Sequence, residues 1–265
     1  MATKKSEEAA LDVVEVRTGR VDLYVVGESP LILNAMSAKA RQELLLPLGR
    51  KTAAQKATSI KHEPWSEFRE SMYFARDPDA PTRIVMKSTA FKKAAMGAAL
   101  DLPGAQKAKI GRLMFIEGDE VPVYGVPQML MAVTRSADMN KTPDVRTRAI
   151  VPAWAAKITV RYAMPMLNAT TVGNLFQAAG ITQGVGDWRV ERGSGNFGRF
   201  RLVDPEDSVL RMIIENGDRE TQDAAIAAPD YYDDETQKLA QWFDAEVNRR
   251  GQQDMVKSRR EKAVS

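Results

Sequence analysis

The chain has 265 residues, no cysteine and a single histidine, His62. The absence of cysteine excludes disulfides, zinc–thiolate sites and cysteine nucleophiles. No apolar run approaches the roughly 18 residues that a membrane helix requires, and the first twelve residues are charged and lack an apolar centre. We therefore expect a cytoplasmic protein without a signal peptide and without membrane contact.

Sequence motifs for catalysis and nucleotide chemistry are also missing. There is no HExxH or CxxC spacing and no GxxxxGK[ST] loop. The glycines between residues 184 and 198 do not lead from a strand into a helix, so a dinucleotide site is not expected. His62 lies in a polar segment, where an isolated histidine is more often a surface residue than a catalyst. The sequence predicts a protein that is not an enzyme and that has no catalytic residue, metal or cofactor.

The formal net charge of +3 conceals a strong asymmetry along the chain. Residues 204–246 carry thirteen acidic and three basic side chains, a net charge of −10, and residues 247–265 carry +4. Residues 1–203 therefore carry +9. A basic body favours a polyanionic partner. The alternative is that body and tail neutralise each other, within one chain or between subunits.

Hydrophobic periodicity predicts an α+β fold. Residues 154–162 alternate as a strand does, and residues 88–100 and 170–180 place apolar side chains on one face at helical spacing. Residues 220–234 are acidic and are predicted to be a linker, and residues 235–264 to be one long helix. We expect a disordered N-terminus over 1–11, a body over 12–203, and an acidic-then-basic helical tail over 204–265.

The most informative stretch is residues 184–200, GVGDWRVERGSGNFGRF, with five glycines, three arginines and three aromatic residues. Glycine allows close backbone approach, arginine binds phosphate, and aromatic rings stack on bases. The alternative is a flexible surface hairpin. For Trp188 and Phe197, packing as loop anchors is as good an interpretation as stacking on bases.

Three further segments add positive charge around this stretch. Residues 46–63 contain four cations and one acid, which lies at the segment's end, and residues 134–148 form either a hairpin-like arm or a disordered loop. Cations in the first turn of a helix at 88 oppose its dipole, and a bound phosphate would offset that cost. The predicted nucleic-acid-binding residues are Arg50, Lys51, Lys56, Lys61, Lys87, Lys92, Lys93, Arg146, Arg148, Gly184, Gly186, Trp188, Arg189, Arg192, Phe197 and Arg199.

Segments in this order resemble the RAMP superfamily of CRISPR systems, whose backbone subunits polymerise along a guide RNA. The turn at residues 26–31 (VGESPL), the helix start at 87–95 (KSTAFKKAA) and the glycine loop at 184–189 and 195–200 (GVGDWR, GNFGRF) are similar to that superfamily's pattern. The resemblance covers about residues 20–203. It implies an RRM-like or ferredoxin-like palm, with residues 46–63 as a finger-like insertion and 134–148 as a thumb-like one.

The expected function follows from the charge, the glycine loop and the resemblance together. We expect sequence-independent binding of single-stranded DNA or RNA, with oligomerisation along the strand. RNA-cleaving members of the superfamily rely on a histidine, which argues against nuclease activity here. The acidic tail departs from the superfamily's pattern. It leaves open a phage or plasmid relative, such as a structural or CRISPR-inhibiting protein whose basic body contacts the acidic tail of a neighbouring subunit.

Overall fold

The computed structural model describes residues 14–46, 60–135, 143–192 and 195–264, and these residues form an α+β fold, as expected. The strands are β1 (Arg17–Gly27), β2 (Leu31–Ile32), β3 (Tyr73–Phe74), β4 (Ile84–Lys87), β5 (Met114–Ile116), β6 (Glu120–Tyr124), β7 (Gln128–Arg135), β8 (Pro143–Val151), β9 (Ala155–Met164) and β10 (Phe200–Val203). The helices are α1 (Ala38–Leu45), α2 (Pro64–Glu70), α3 (Ser88–Ala98), α4 (Lys107–Leu113), α5 (Ala169–Thr182), α6 (Ser208–Asn216), α7 (Arg219–Ala227), α8 (Asp234–Arg249) and α9 (Gln253–Val264).

The body is a seven-stranded antiparallel sheet in the order β10–β1–β9–β6–β4–β3, with β5 also paired to β9. Within it, β1, α3, β5, β9, α5 and β10 form a βαββαβ unit with sheet order β10–β1–β9–β5, which is the ferredoxin-like arrangement. Helices α3 and α5 contact each other. Their buried faces hold the large side chains Phe91 and Phe176 over the sheet.

A second antiparallel sheet has the order β2–β8–β7. Strands β7 and β8 pair over their whole length, from Gln128 opposite Ile150 to Arg135 opposite Pro143. The hairpin-like arm was therefore the better of the two predictions for this segment, although residues 136–142 lie outside the described residues. The arm carries Arg146 and Arg148 on a regular strand, so their positions are set by pairing in the sheet.

The tail packs against the body of its own chain. The segment predicted as a linker contains α7, whose Gln222 side chain is fully buried. The Oγ1 of Thr236, in α8, accepts a hydrogen bond from the backbone N–H of Met131 in β7 at 3.1 Å. In α9, the guanidinium of Arg260 meets the buried carboxylate of Glu63 at 3.0 Å. The predicted single helix is divided in two at Gly251, which has a φ of 63°.

No helix in the described ranges is both long enough and apolar enough to cross a bilayer.

Candidate nucleic-acid interface

A basic cavity of about 610 Å³ lies between the start of α3 and the glycine-rich stretch. Its charged lining consists of Lys87, Lys93, Lys107 and Arg189, together with one acid, Glu191. Strand β4 runs directly into α3, which places Lys87 at their junction and Lys93 on the second turn of the helix. We call this space, with its lining residues, the basic groove. Its excess of cations over acids makes it suited to an anion.

The cations of the basic groove differ in their internal partners. The Nη2 of Arg189 lies 2.6 Å from the Oε2 of Glu191, and its Nη1 donates to the carbonyl of Gly186 at 3.0 Å. The Nζ of Lys87 lies 3.2 Å from the Oε1 of Glu120. Lys93 and Lys107 are exposed and make no hydrogen bond or ion pair within the described part of the chain. An incoming phosphate therefore competes with an acid for the first two cations and meets the two lysines without competition.

A smaller cavity of about 330 Å³ adjoins the groove, and Asn34 lines both. Arg146 and Arg148 line this second cavity, but Glu67 and Glu70 also line it, so its charge is balanced. Burial lowers the pKa of the Arg148 guanidinium, whose Nε lies 3.9 Å from a carboxylate oxygen of Asp187. The excess positive charge thus belongs to the larger cavity.

The glycine-rich stretch is a tightly hydrogen-bonded loop. The N–H groups of Val185 and Gly198 donate to the carbonyls of Gly198 and Pro30 at 2.9 and 2.8 Å, and that of Asp187 donates to Ile32 at 2.9 Å. Gly184, Gly186 and Gly198 have φ values of 68°, 83° and 67°, in the left-handed region that favours glycine. These glycines allow backbone to pack on backbone, and they fix the position of Arg189.

Trp188 and Phe197 anchor this loop. Their ring centroids lie 6.0 Å apart, and both rings pack on the cluster of Ile32, Leu130 and Ile150 from the three-stranded sheet. Both side chains are half-buried. Of the two interpretations that the sequence allowed, the structure shows the packing of loop anchors.

The structure does not bring every predicted residue into the groove. Lys92 does not line it, and Arg199 instead pairs with Glu28 at 3.2 Å. Lys61 pairs with Asp144 at 2.6 Å, on the far side of the arm beside α8. Arg50, Lys51 and Lys56 lie outside the described residues, as does the side chain of Arg192. Lys87, Lys93, Arg189, Gly184 and Gly186 are the predicted residues that meet in the basic groove.

Three residues of the groove were missed at the sequence level. Lys107 opens α4, and Asn34 follows β2 with its side chain exposed and without a hydrogen-bond partner among the described residues. Tyr73 is 38% exposed, lines the groove, and has the Lys87 ammonium 5.2 Å from its ring centroid. Tyr73 therefore presents an exposed aromatic ring to the groove. A Tyr-Phe pair in a two-residue strand gives no sequence signal for this role.

His62 is held in a cluster of charges away from the groove. Its Nδ1 lies 2.6 Å from Glu67 in α2 and its Nε2 lies 2.9 Å from Asp144 in β8, so both ring nitrogens face carboxylates. Two such hydrogen bonds require a doubly protonated ring. The bond to Glu67 and, against the effect of burial, the charges of Glu67 and Asp144 raise the pKa of His62. Lys61 and Arg146 complete the cluster by pairing with Asp144.

The free energy of unfolding is expected to depend on pH through His62. Because its pKa is higher in the folded chain, its stabilising contribution is fully present below the unfolded pKa of about 6.5 and is lost as pH rises through the folded pKa. Urea midpoints of the wild type and His62→Gln should therefore converge as pH rises from 5.5 to 9. A difference between the two midpoints that stays the same at every pH would contradict the raised pKa assigned to His62.

The chain was also compared with known proteins. A scan of protein-family models finds no match, and neither does a search of curated proteins.

Among solved structures, a chain in the cryo-EM structure of Type III-B Cmr-beta bound to cognate target RNA is similar, with a TM-score of 0.39 and 11% identity over 71% of this chain. The similarity spans 59% of that chain, less than two thirds of its length. The crystal structure of Cmr6 from Pyrococcus furiosus gives a TM-score of 0.34 and 8% identity, covering 72% of this chain and 100% of the other. Similarity at these TM-scores carries no functional argument.

Proposed function

We propose that this protein is a non-enzymatic binder of single-stranded nucleic acid and that the strand's backbone lies in the basic groove. The observation that carries the proposal is the convergence of Lys87, Lys93, Lys107 and Arg189 on one cavity with one lining acid. These cations come from three separate segments, the β4–α3 junction, α4 and the glycine-rich stretch. The four cations repel each other, and the single lining acid, Glu191, offsets only part of that repulsion. A bound polyanion would relieve the rest. The exposed ring of Tyr73 in the same cavity offers a surface for a base.

The groove favours a single strand contacted largely without regard to sequence. Its volume of about 610 Å³ suits a nucleotide-sized segment. Lysine and arginine contacts to phosphate position a strand but do not identify its bases. Asn34, which has amide donor and acceptor groups, is the neutral side chain best placed to add a contact to sugar or base.

The non-enzymatic part of the proposal rests on His62. Both of its ring nitrogens are engaged by carboxylates, at 2.6 and 2.9 Å, and neither is free to accept a proton from a nucleophile. His62 also does not line the basic groove. A histidine-dependent nuclease would require this ring to leave both partners and cross to another cavity.

Salt dependence of binding tests the electrostatic mechanism. With fluorescently labelled single-stranded RNA and DNA, we expect the logarithm of the association constant to fall linearly with the logarithm of salt concentration. Four phosphate contacts predict a slope of about −3, because each contributes about 0.7 for single strands. An affinity that does not change with salt would reject the groove and favour the alternative of a structural or CRISPR-inhibiting interaction protein.

A pair of charge reversals locates the site. Lys93→Glu is expected to weaken binding roughly tenfold or more at low salt and to reduce the magnitude of the salt slope by about one contact. Lys238→Glu is the matched control, because Lys238 is an exposed lysine of α8 outside the groove and the substitution changes the net charge equally. Equal losses in the two variants would show that net charge, and not the groove, governs binding.

Self-association along the strand is a further part of the proposal. Sedimentation with oligonucleotides of increasing length should then give complexes whose mass rises in steps of one subunit. In the alternative, where the basic body contacts the acidic tail of a neighbouring subunit, assembly occurs without nucleic acid. A constant one-to-one complex at every oligonucleotide length would reject the oligomer along the strand.

A further inference from the structure

A mostly apolar cavity of about 340 Å³ lies between α8 and the arm formed by β7 and β8. Its volume falls in the range of small-molecule sites, about 300–1,000 Å³. No described residue lines both this cavity and the basic groove. Its apolar lining includes Met131, Val145, Leu239, Trp242, Phe243 and Val247. We call this space the tail cavity.

One face of α8 forms a wall of the tail cavity. The residues on that face follow one another at helical spacing: Leu239, Trp242, Phe243, Glu246, Val247 and Arg250. Trp242 is 62% exposed, although Phe243 beside it is half-buried. On the arm, Val133 is 63% exposed and pairs with Val145, which lines the cavity. Large apolar side chains left accessible beside a cavity indicate a site for an apolar partner.

The two ends of the tail cavity differ in polarity. At the N-terminal end of α8, the hydrogen bond from the N–H of Met131 to Oγ1 of Thr236 places Met131 beside the first turn of the helix. At the C-terminal end, Ile60 and Val247 belong to one buried cluster, which brings the adjacent Lys61 to that end. The lining is therefore apolar around Met131 and cationic around Lys61.

The first charge cluster at the cationic end has more cations than carboxylates. The carboxylate of Asp144 is shared by Lys61, His62 and Arg146, with N···O distances of 2.6, 2.9 and 3.1 Å. The other nitrogen of the His62 ring lies 2.6 Å from Glu67. Among the described residues, three cations thus face two acids.

The second cluster, at the C-terminal end of α8, has the same imbalance. Arg249 and Arg250 share the carboxylate of Glu246, each with an N···O distance of 2.6 Å. Glu246 and Arg250 both line the tail cavity, as do Lys61 and His62 of the first cluster. The positive charge left over in both clusters favours a negatively charged group at this end.

We propose that the tail cavity binds a small anionic amphiphile, a molecule with an apolar body and one carboxylate or similar head group. The body lies between α8 and the arm, where Trp242 and Val145 remove it from water. The head lies beside Lys61 and Arg250, where the excess positive charge attracts it. The site shares no residue with the basic groove and does not depend on the function proposed for that groove.

Titration of the full chain with anilinonaphthalenesulfonate, an anionic aromatic dye, tests the site. We expect saturable binding to the folded chain, which Trp242→Ala weakens about tenfold because one apolar wall is truncated. Phe115→Ala is the matched control, since Phe115 is a 48% exposed aromatic residue of β5 outside the cavity. Absence of saturable binding, or an equal loss in both variants, overturns the proposal.

Trp242→Phe distinguishes binding in the tail cavity from binding elsewhere. The phenylalanine retains an apolar ring, so dye binding should persist, whereas the change in intrinsic tryptophan fluorescence on binding should be lost. A fluorescence change that survives in Trp242→Phe would place the dye at another site and contradict the proposal.

Displacement of the dye by octanoate and by octanol tests the charge of the ligand, because the two molecules share an apolar chain and differ in their head groups. Octanoate should displace the dye at several-fold lower concentration, and Lys61→Gln should weaken octanoate several-fold while leaving octanol unchanged. Equal potency of the two molecules overturns the anionic head group. If Trp242→Ala instead dissociates an oligomer of the free protein in sedimentation, a second copy fills the cavity and the proposal is wrong.

Discussion

Replacing Gly198 by alanine is expected to lower the free energy of unfolding by about 3–5 kcal/mol and to abolish tight oligonucleotide binding. Gly198 has a φ of 67°, and a Cβ there would overlap the carbonyl oxygen of Val185. The loop would have to open at the Val185–Gly198 and Gly198–Pro30 hydrogen bonds, of 2.9 and 2.8 Å. Because this loop positions Arg189, the basic groove would lose one wall.

Substitutions at two other glycines separate the cost of backbone strain from the cost of steric overlap. Gly104 has a φ of 78° but open space around it, so Gly104→Ala should cost only the backbone strain of about 1–2 kcal/mol. Gly173 lies inside α5 with open space and an ordinary φ, so Gly173→Ala should stabilise the chain by about 0.5–1 kcal/mol. Urea unfolding of the three variants measures each term. If Gly198→Ala lowers the free energy of unfolding no more than Gly104→Ala does, the loop accommodates the added Cβ without breaking its hydrogen bonds.

Elements with one buried face could be predicted from sequence. The alternation over residues 154–162 corresponds to β9, and the helical spacings over 88–100 and 170–180 correspond to α3 and α5. Each element has a simple apolar–polar period because the sheet or a facing helix covers one side of it. The α+β class follows from these three elements alone.

The composition of the basic groove could be predicted only in part. Lys87, Lys93 and Arg189 were expected from local charge beside a helix start and a glycine loop, and they do line one cavity. Tyr73, Lys107 and Asn34 are brought there by tertiary packing, which leaves no periodic or compositional signal in their own segments. Arg199 and Lys61 were expected in the site because they are cationic, but they lie outside the groove, where they pair with Glu28 and Asp144.

The tail was predicted least well, because its composition hides its buried residues. Residues 220–234 are acidic, which is typical of a solvated linker, yet α7 in this segment buries Gln222 and Ile226. A buried glutamine among charged residues has the same sequence signature as an exposed one. What distinguishes Gln222 is the set of backbone groups that other segments present to it.

Replacing Gln222 by alanine is the second change with a large expected effect, a loss of about 3–5 kcal/mol in the free energy of unfolding. Its Oε1 accepts from the N–H of Ile84 at 2.8 Å, and its Nε2 lies 2.8, 3.0 and 3.1 Å from the carbonyls of Val123, Gly125 and Gly217. The side chain thereby joins β4, β6 and the tail. Truncation to alanine would remove the acceptor of the Ile84 N–H and a donor to the carbonyls, and it would create a cavity. Of the three carbonyls, that of Gly217 would keep the hydrogen bond from the N–H of Gly125 at 3.1 Å. Urea unfolding measures the loss, and Gln237→Ala, on the exposed face of α8, should change stability by less than about 0.5 kcal/mol.

Gln222→Glu separates hydrogen bonding from volume at the same position. A carboxylate retains the shape and accepts from the N–H of Ile84, but it faces three carbonyl oxygens where the amide donated. Burial beside acceptors raises the pKa of the introduced acid, so the variant should regain stability as pH falls and the protonated form donates one hydrogen bond. The gain is read as the difference from the wild type at each pH, because the wild type has its own pH dependence through His62. A Gln222→Glu variant as stable as the wild type at pH 8 would contradict the stabilising role assigned to the hydrogen bonds of the Gln222 amide.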